Sequence, residues 1–451
     1  MRRIACSLVL LTVTLLASGV SPVSAQTTDA VLPRFDDERW WVSGQANLIF
    51  QWHPAFPSPY QGENSLRPES EHALSRVLTL YTGVRLRPGT EFLFDVESAA
   101  GRGIGDAFGL AGYTDLDVVR NPSLGGAPYM ARAFLHQTIA LGPETEKTER
   151  GPFSLASRRP VRRIDIRVGK FGTVDWFDIN AVGNDSHLQF LNWTVDNNGA
   201  YDYAADTRGY TYGIEVEYQD AGWALRFEEG LMPKVPNGIV LDFNLARARA
   251  ENIELELKRG IVPGRPGAIR ILGYANHANM GSYRAAINAF RRGDVAVPSI
   301  ESTRQQGRQK YGVGLSLEQT VAAGLRLFGR AGWNEGHHES FAYTEVDRAA
   351  AVGGDLIGDR WGRPADKVGV VLSVNGLSPD HRDYLALGGL GFLLGDGRLN
   401  YGTERIVEGY YTAHVWRGVF ASFDVQRVVN PGYNRDRGPV LAPALRAHIE
   451  F

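Results

Sequence analysis

The chain has 451 residues, 43% of them hydrophobic and 22% charged, with a formal net charge of -2 at pH 7. Beyond the N-terminus no stretch approaches the ~20 uninterrupted apolar residues of a membrane-spanning helix. Near-zero net charge argues against a nucleic-acid partner, which would favour a basic face. A transmembrane barrel escapes the helix test, because its lipid face takes only alternate residues. The 52 glycines and 10% aromatics lean towards a β-protein with many turns.

In chain order, Met1-Arg2-Arg3, the apolar run Ile4 to Ala17 and the small residues Val23-Ser24-Ala25 predict a secretory signal peptide over 1–25. Cys6, the single cysteine, would leave with it, so the mature chain has no thiol for a disulfide or a thiolate metal site. A periplasmic leader, 26–39, precedes a first strand from Trp40 to Trp52. From there to Phe451 one pattern repeats: short segments with period-two alternation between a greasy and a wet side. Leu78, Leu80, Val84 and Leu86 share one face of a second strand. Phe92, Phe94 and Val96 oppose Glu91, Asp95 and Glu97, and Leu135, Ile139 and Leu141 oppose Phe134, His136 and Thr138. After a charged connection, Ile164, Ile166 and Val168 oppose Asp165 and Arg167. Two strands around Asp220-Ala221-Gly222 follow, with Tyr210, Tyr212 and Ile214 against Glu215 and Glu217, and Trp223, Leu225 and Phe227 against Arg226. The alternation returns at 253–258, 269–274, 310–318, 325–334, 367–375, 404–413 and 419–426. It ends with Leu441, Leu445 and Ile449 opposite Ala442, Ala444, Arg446 and His448. The apolar segment Tyr384–Leu394 fits a strand or a short helix; if it is a helix, another strand is hidden elsewhere.

About sixteen segments, with eighteen as the alternative, match the ~9–11 residues that a tilted strand needs to cross a bilayer. Connections mostly alternate between short (Arg87–Thr90, Asp220–Gly222, Val321–Gly324, Trp416–Gly418) and long (Ala99–Tyr129, Phe171–Arg208, Asn276–Gln309, Glu335–Ala365). Aromatics at strand ends (Trp40, Trp41, Trp52, Tyr210, Tyr218, Trp223, Trp333, Phe451) match interfacial girdles. The expected fold is all-β: one transmembrane antiparallel barrel over 40–451, in a bacterial outer membrane and in contact with its lipid. A soluble β-sandwich is the competing fold.

The loop 171–208 is the leading functional candidate, expected to fold into the lumen as a constriction. Its Asp175, Trp176, Phe177, Asp178, Asn192 and Trp193 offer carboxylates and amides for sugar hydroxyls and aromatic faces for sugar rings. The alternative packs those aromatics on outer loops. Wet-face charges form a second set of constriction candidates: Arg85, Glu97, Arg167, Glu215, Arg226, Arg326, Arg330, Glu404 and Glu408. Their alternative is pairing across strands, where each pair is worth little. Enzyme readings are poorer. Asp185-Ser186-His187 has triad residue types without triad geometry, His337-His338-Glu339 has neighbours that point apart, and Gly101 to Gly105 lacks the spacing of a phosphate loop.

The stretches "GRPADKVGVVLSV", "LNYGTERIVEGYYTAHV" and "ASFDVQRVVNPGYN", with Glu404, Glu408, Tyr410-Tyr411, Gln426 and Asn430-Pro431-Gly432, resemble the carbohydrate-selective outer-membrane porins of the OprB family. The resemblance covers about Gly362 to Phe451. It implies a sixteen-stranded channel that passes glucose-like sugars down their gradient, with arginines and glutamates at the constriction. Such a porin needs no cofactor. Its further partners would be barrel-assembly machinery, recognising Phe451, and two more copies in a homotrimer. A polysaccharide secretion or assembly barrel is the main competitor, and an outer-membrane hydrolase the lesser one.

Overall fold

The computed structural model describes residues 30, 31, 35, 36, 38–117 and 124–451; the expected signal peptide 1–25, with Cys6, and part of the leader lie outside them. Sixteen strands form the wall: β1 (Trp40–His53), β2 (Glu71–Arg87), β3 (Thr90–Gly101), β4 (Tyr129–Ala140), β5 (Arg163–Phe171), β6 (Thr211–Gln219), β7 (Trp223–Leu231) and β8 (Arg249–Leu257), then β9 (Gly267–Met280), β10 (Gln305–Ala322), β11 (Leu325–Asn334), β12 (Arg348–Ile357), β13 (Lys367–Gly376), β14 (Glu404–Trp416), β15 (Val419–Val429) and β16 (Val440–Glu450). Each pairs antiparallel with the next. β16 then closes on β1, from Ala444 opposite Gln51 to Glu450 opposite Gln45, so none of the sixteen is an edge strand; the two-residue strand Phe35–Asp36 adds to β1 beyond that seam.

Alternation decides which way each side chain faces. In β16, Leu441 and Leu445 are 43% and 52% exposed on the outside, while Ala442, Ala444, Arg446 and His448 are buried inside. The same inversion runs round the wall, with Leu74, Val168, Ile253, Val313, Val352 and Val370 among the outward residues. A continuous apolar belt of this size is unfavourable in water and is what a bilayer solvates. Aromatics bracket the belt. Tyr218 and Trp223 (centroids 5.0 Å apart) and Trp361 and Tyr411 (6.3 Å) mark the end with short turns; Tyr311 and Trp333 (6.0 Å) mark the end with long loops.

Two expectations change. Tyr384–Leu394 is not a strand: it overlaps helix α3 (Pro379–Ala386; α1, Trp193–Asp196, and α2, Tyr283–Arg291, precede it in the chain) in the outer loop between β13 and β14. Ser378 caps that helix by accepting from the His381 N–H, Pro379 occupies its first turn and Asp380 follows, all favourable at a helix start. The compensating strand is β12, placed by the sequence inside the long connection Glu335–Ala365. Its segment RAAAVGGDLI alternates poorly because Asp355 is the only polar residue on its lumen side and the rest of that face packs on apolar side chains. Ala351 packs there with Val182, Phe190 and Val195 of the β5–β6 loop, and Gly353 leaves room for Phe328, where a Cβ would come within 2.8 Å of the ring. The count of sixteen stands; one of its members differs.

Candidate functional site

The β5–β6 loop, 172–210, builds the site. Among its residues only Ala181 is exposed, so this long segment lies within the barrel and has to satisfy its backbone groups there. The wall supplies the partners in strand order. Thr173 donates to Glu228 of β7 at 2.7 Å, Asp178 N–H to Glu254 of β8 at 2.8 Å, and Asn180 Nδ2 to Ser316 of β10 at 3.2 Å. Arg330 of β11 donates to the carbonyls of Asp178 (2.7 Å), Gly183 (2.6 Å) and Asp196 (2.9 Å), and its Nε lies 3.3 Å from the Asp178 carboxylate. Glu408 of β14 accepts from the N–H groups of Leu191 and Asn192, and Arg446 of β16 donates to Ser186 O. At the end of this run Asn192 caps the short helix α1 (Trp193–Asp196) by accepting from Thr194 N–H.

The β3–β4 loop joins from the other side. Glu404 accepts from Ala111 and Gly112 N–H at 3.1 and 2.7 Å, Gln51 donates to Thr114 O at 2.6 Å, and the Trp193 indole donates to Asp115 O at 2.7 Å. Asn192 Nδ2 ties the two loops by donating to Gly112 O at 2.8 Å. Together they occupy the lumen against β7–β16.

The open space runs along β2–β4, a cavity of about 430 Å³, within the range of roughly 300–1,000 Å³ typical of small-molecule sites. Tyr81, Glu97, Tyr129 and Arg132 line its barrel side, and Asp175, His187, Trp193, Asp196 and Tyr210 its loop side, with Tyr343 from the β11–β12 loop. Arg132 is held flat: Asp175 accepts from its Nε (2.7 Å) and Nη2 (2.6 Å), and the rings of Phe153 and Tyr210 lie 4.9 and 5.2 Å from the guanidinium. Glu97 accepts from Tyr210 Oη at 3.0 Å and from the Tyr129 hydroxyl. Trp193 stacks on Tyr343, centroids 5.5 Å apart and planes 7° from parallel. The cavity therefore joins charges of both signs to large aromatic faces. Carboxylates and guanidinium can exchange hydrogen bonds with hydroxyl groups, while the rings cover apolar C–H faces.

At one end His187 stacks on His448 (5.3 Å) and lies 3.5 Å from Asp117. Burial pushes its imidazole down, but Asp117 and Asp185 outweigh this and raise it to about 9.

Of the residues named from sequence, Glu97, Asp175 and Trp193 line the cavity. Trp176 lies inside the barrel but off the cavity, edge-on to Phe134 and Phe171, with the Arg167 guanidinium 4.8 Å from its ring. Phe177, Asp178 and Asn192 are buried in the loop's attachment. Arg330, Glu404 and Glu408 hold loop backbone, and Arg326 pairs with Asp355. Arg167, Glu215 and Arg226 belong to an ion-pair ladder across β5–β10, in which Arg226 meets Glu254 at 2.9 Å and Arg270 meets Glu256 at 3.0 Å and Glu318 at 3.2 Å. Arg85 donates to Leu155 O at 2.7 Å.

Sequence reading passed over Tyr81, Tyr129, Arg132, Phe153, Tyr210 and Tyr343. Tyr81 and Arg132 had a signal, since both occupy wet-side positions of their strands. Tyr210 misled: alternation sets it beside Ile214 on the apolar face, yet it precedes β6 and turns inward to Glu97. The residue clusters weighed for enzyme chemistry have separate local partners. Asp185 accepts from His187 and Leu188 N–H, His337 meets Asp380, His338 meets Glu335 and Glu339 meets Arg304.

A search of curated protein sequences gave no match. Among solved structures, OprB of Pseudomonas putida at high pH superposes with a TM-score of 0.69 over 92% of this chain and 94% of that one, at 16% identity. The outer membrane channel DcaP of Acinetobacter baumannii reaches 0.51 over 93% and 100%, at 10% identity. At these identities both speak for the fold, a closed porin barrel. A family model described as carbohydrate-selective porin, OprB family, matches residues 63–451. The lipid-facing belt, the closed sixteen-strand wall and that match across most of the chain lead to one assignment: this protein belongs to the OprB family of carbohydrate-selective porins, channels for passive sugar diffusion across the bacterial outer membrane.

Proposed function

We propose that the cavity between the inward β5–β6 loop and the β2–β4 wall is the selective constriction, and that it passes small sugars rather than polymers. One observation carries this reading: the stacked Trp193–Tyr343 pair and the Glu97, Asp175 and Arg132 group line the same cavity of about 430 Å³. Mixed charges create local fields without a strong ion preference, and the gradient supplies the driving force. A loop bonded to seven or more wall positions makes polysaccharide export a poor fit, because a growing chain would need that loop displaced. Hydrolysis fits poorly too, since the two carboxylates beside the aromatic pair are engaged, Asp175 by Arg132 and Glu97 by Tyr129 and Tyr210. The reading includes Phe451, whose N–H donates to Gly44 O at the β16–β1 seam, as the handle for barrel-assembly machinery, and a homotrimer as the working assembly.

Liposome swelling with sugars of graded size is the test. Glucose-sized solutes should enter several-fold faster than trisaccharides. Equal rates across the series, or no sugar entry at all, would reject a sugar-selective constriction.

A further inference from the structure

The connection from β4 to β5, residues 141–162, is the longest at the periplasmic end, and it does not stay outside. Thr145–Lys147 pairs with Arg158–Pro160 as a hairpin, and its tip turns back into the lumen. There the Leu155 N–H and the Ser154 hydroxyl both donate to Glu91 of β3, each at 3.1 Å, while Arg85 of β2 donates to Leu155 O. Glu91 and Arg85 are lumen-side residues in the alternation of their strands. The Leu155 side chain is fully buried in one apolar cluster with Trp41, Leu93 and Phe134. It sits over Gly83, where a Cβ would come within 2.6 Å of its methyl group. An apolar patch on the wall of a wet tube is explained if something covers it, and the hairpin does. Beyond the anchor, Phe153 reaches the cavity, its ring 4.9 Å from the Arg132 guanidinium and edge-on to Trp176 at 6.3 Å.

We propose that this hairpin is a second, periplasmic threshold of the channel, and that Phe153 is a specificity-determining residue at the exit from the cavity. The proposal rests on the reading that sugars cross this cavity. A solute leaving towards the periplasm passes the Phe153 ring beside Arg132, so the hairpin limits both the size of solute and the current of ions.

Three variants of the full chain test it in planar bilayers and swelling liposomes: residues 149–156 replaced by a Gly-Gly-Ser linker, Phe153→Ala, and Gly83→Val, which evicts Leu155 from its seat. The linker variant should raise single-channel conductance at least twofold and speed di- and trisaccharide entry more than glucose entry. Phe153→Ala should reproduce the sugar effect with a smaller conductance change, and Gly83→Val should resemble the linker variant. Unchanged conductance and size cut-off in barrels that still run as folded, heat-modifiable species would overturn the proposal. If the linker variant does not fold, the two point variants decide by the same criterion. Ion conductance also separates the two readings: if the wild type carries ions but no sugar, the constriction reading fails while the hairpin is still tested.

Discussion

Trp193 shows how one side chain serves both the loop's attachment and the cavity. Its indole N–H is spent on Asp115 O, its edge meets Tyr113, and one face stacks on Tyr343, so the ring is rigid where it borders the cavity. Rigid aromatic contacts of this kind are worth about 0.5–1.5 kcal/mol beyond area. Trp193→Ala should therefore weaken sugar block of the ion current by roughly 2- to 10-fold. Trp176→Ala, off the cavity, should change it less; equal effects in noise analysis would remove the distinction. The charges tell a complementary story. Glu404, Glu408 and Arg330 were legible as lumen-side residues, and they are, but they bind backbone of folded-in loops. Period-two alternation separates inside from outside. It cannot separate a charge facing water from one facing the amides of a loop dozens or hundreds of residues away.

At the scale of elements, the two inward loops meet at His187, Asp117 and Asp185, beside His448 and Arg446 of β16. With its pKa raised from the ordinary value near 6.5 to about 9, the His187 contribution to loop anchoring is fully present below about pH 6.5. It is lost as pH rises through about 9, the direction for a group whose charged form is favoured by folding. Open-channel noise should accordingly grow between pH 8 and 10, and His187→Gln should flatten that rise; a wild-type trace independent of pH would show that the loops are held elsewhere. Elements also show where sequence reading slipped. The strand β12 was hidden because most of its inner face packs on apolar side chains such as Phe190 and Val195 rather than water, which leaves Asp355 alone to mark the polar half of its pattern. The helix α3 carried its signal in plain view, in Ser378-Pro379-Asp380, beside an apolar run that also suited a strand.

For the whole molecule, the apolar exterior is the property that most distinguishes a membrane barrel from a soluble one. Val352, 60% exposed near the middle of β12, supplies a direct check: Val352→Arg should cost about 2–4 kcal/mol in folding into lipid, as expected for a charge near the bilayer midplane. Urea titration of refolding into vesicles would measure it, and a neutral substitution would place that face in water. The amino-acid sequence by itself determined the closed all-β wall, the facing of its strands other than β12 and its membrane setting, because these follow from local alternation and from chain-order pairing of neighbours. It also pointed to the β5–β6 loop, through length and composition. Only the tertiary structure decided which lumen groups line the cavity and which hold the inward loops, and it alone revealed Phe153 and Tyr343. The reason is physical: the cavity is the space left after inward outer loops and a periplasmic hairpin have filled the rest, and such a remainder depends on contacts between segments far apart in the chain.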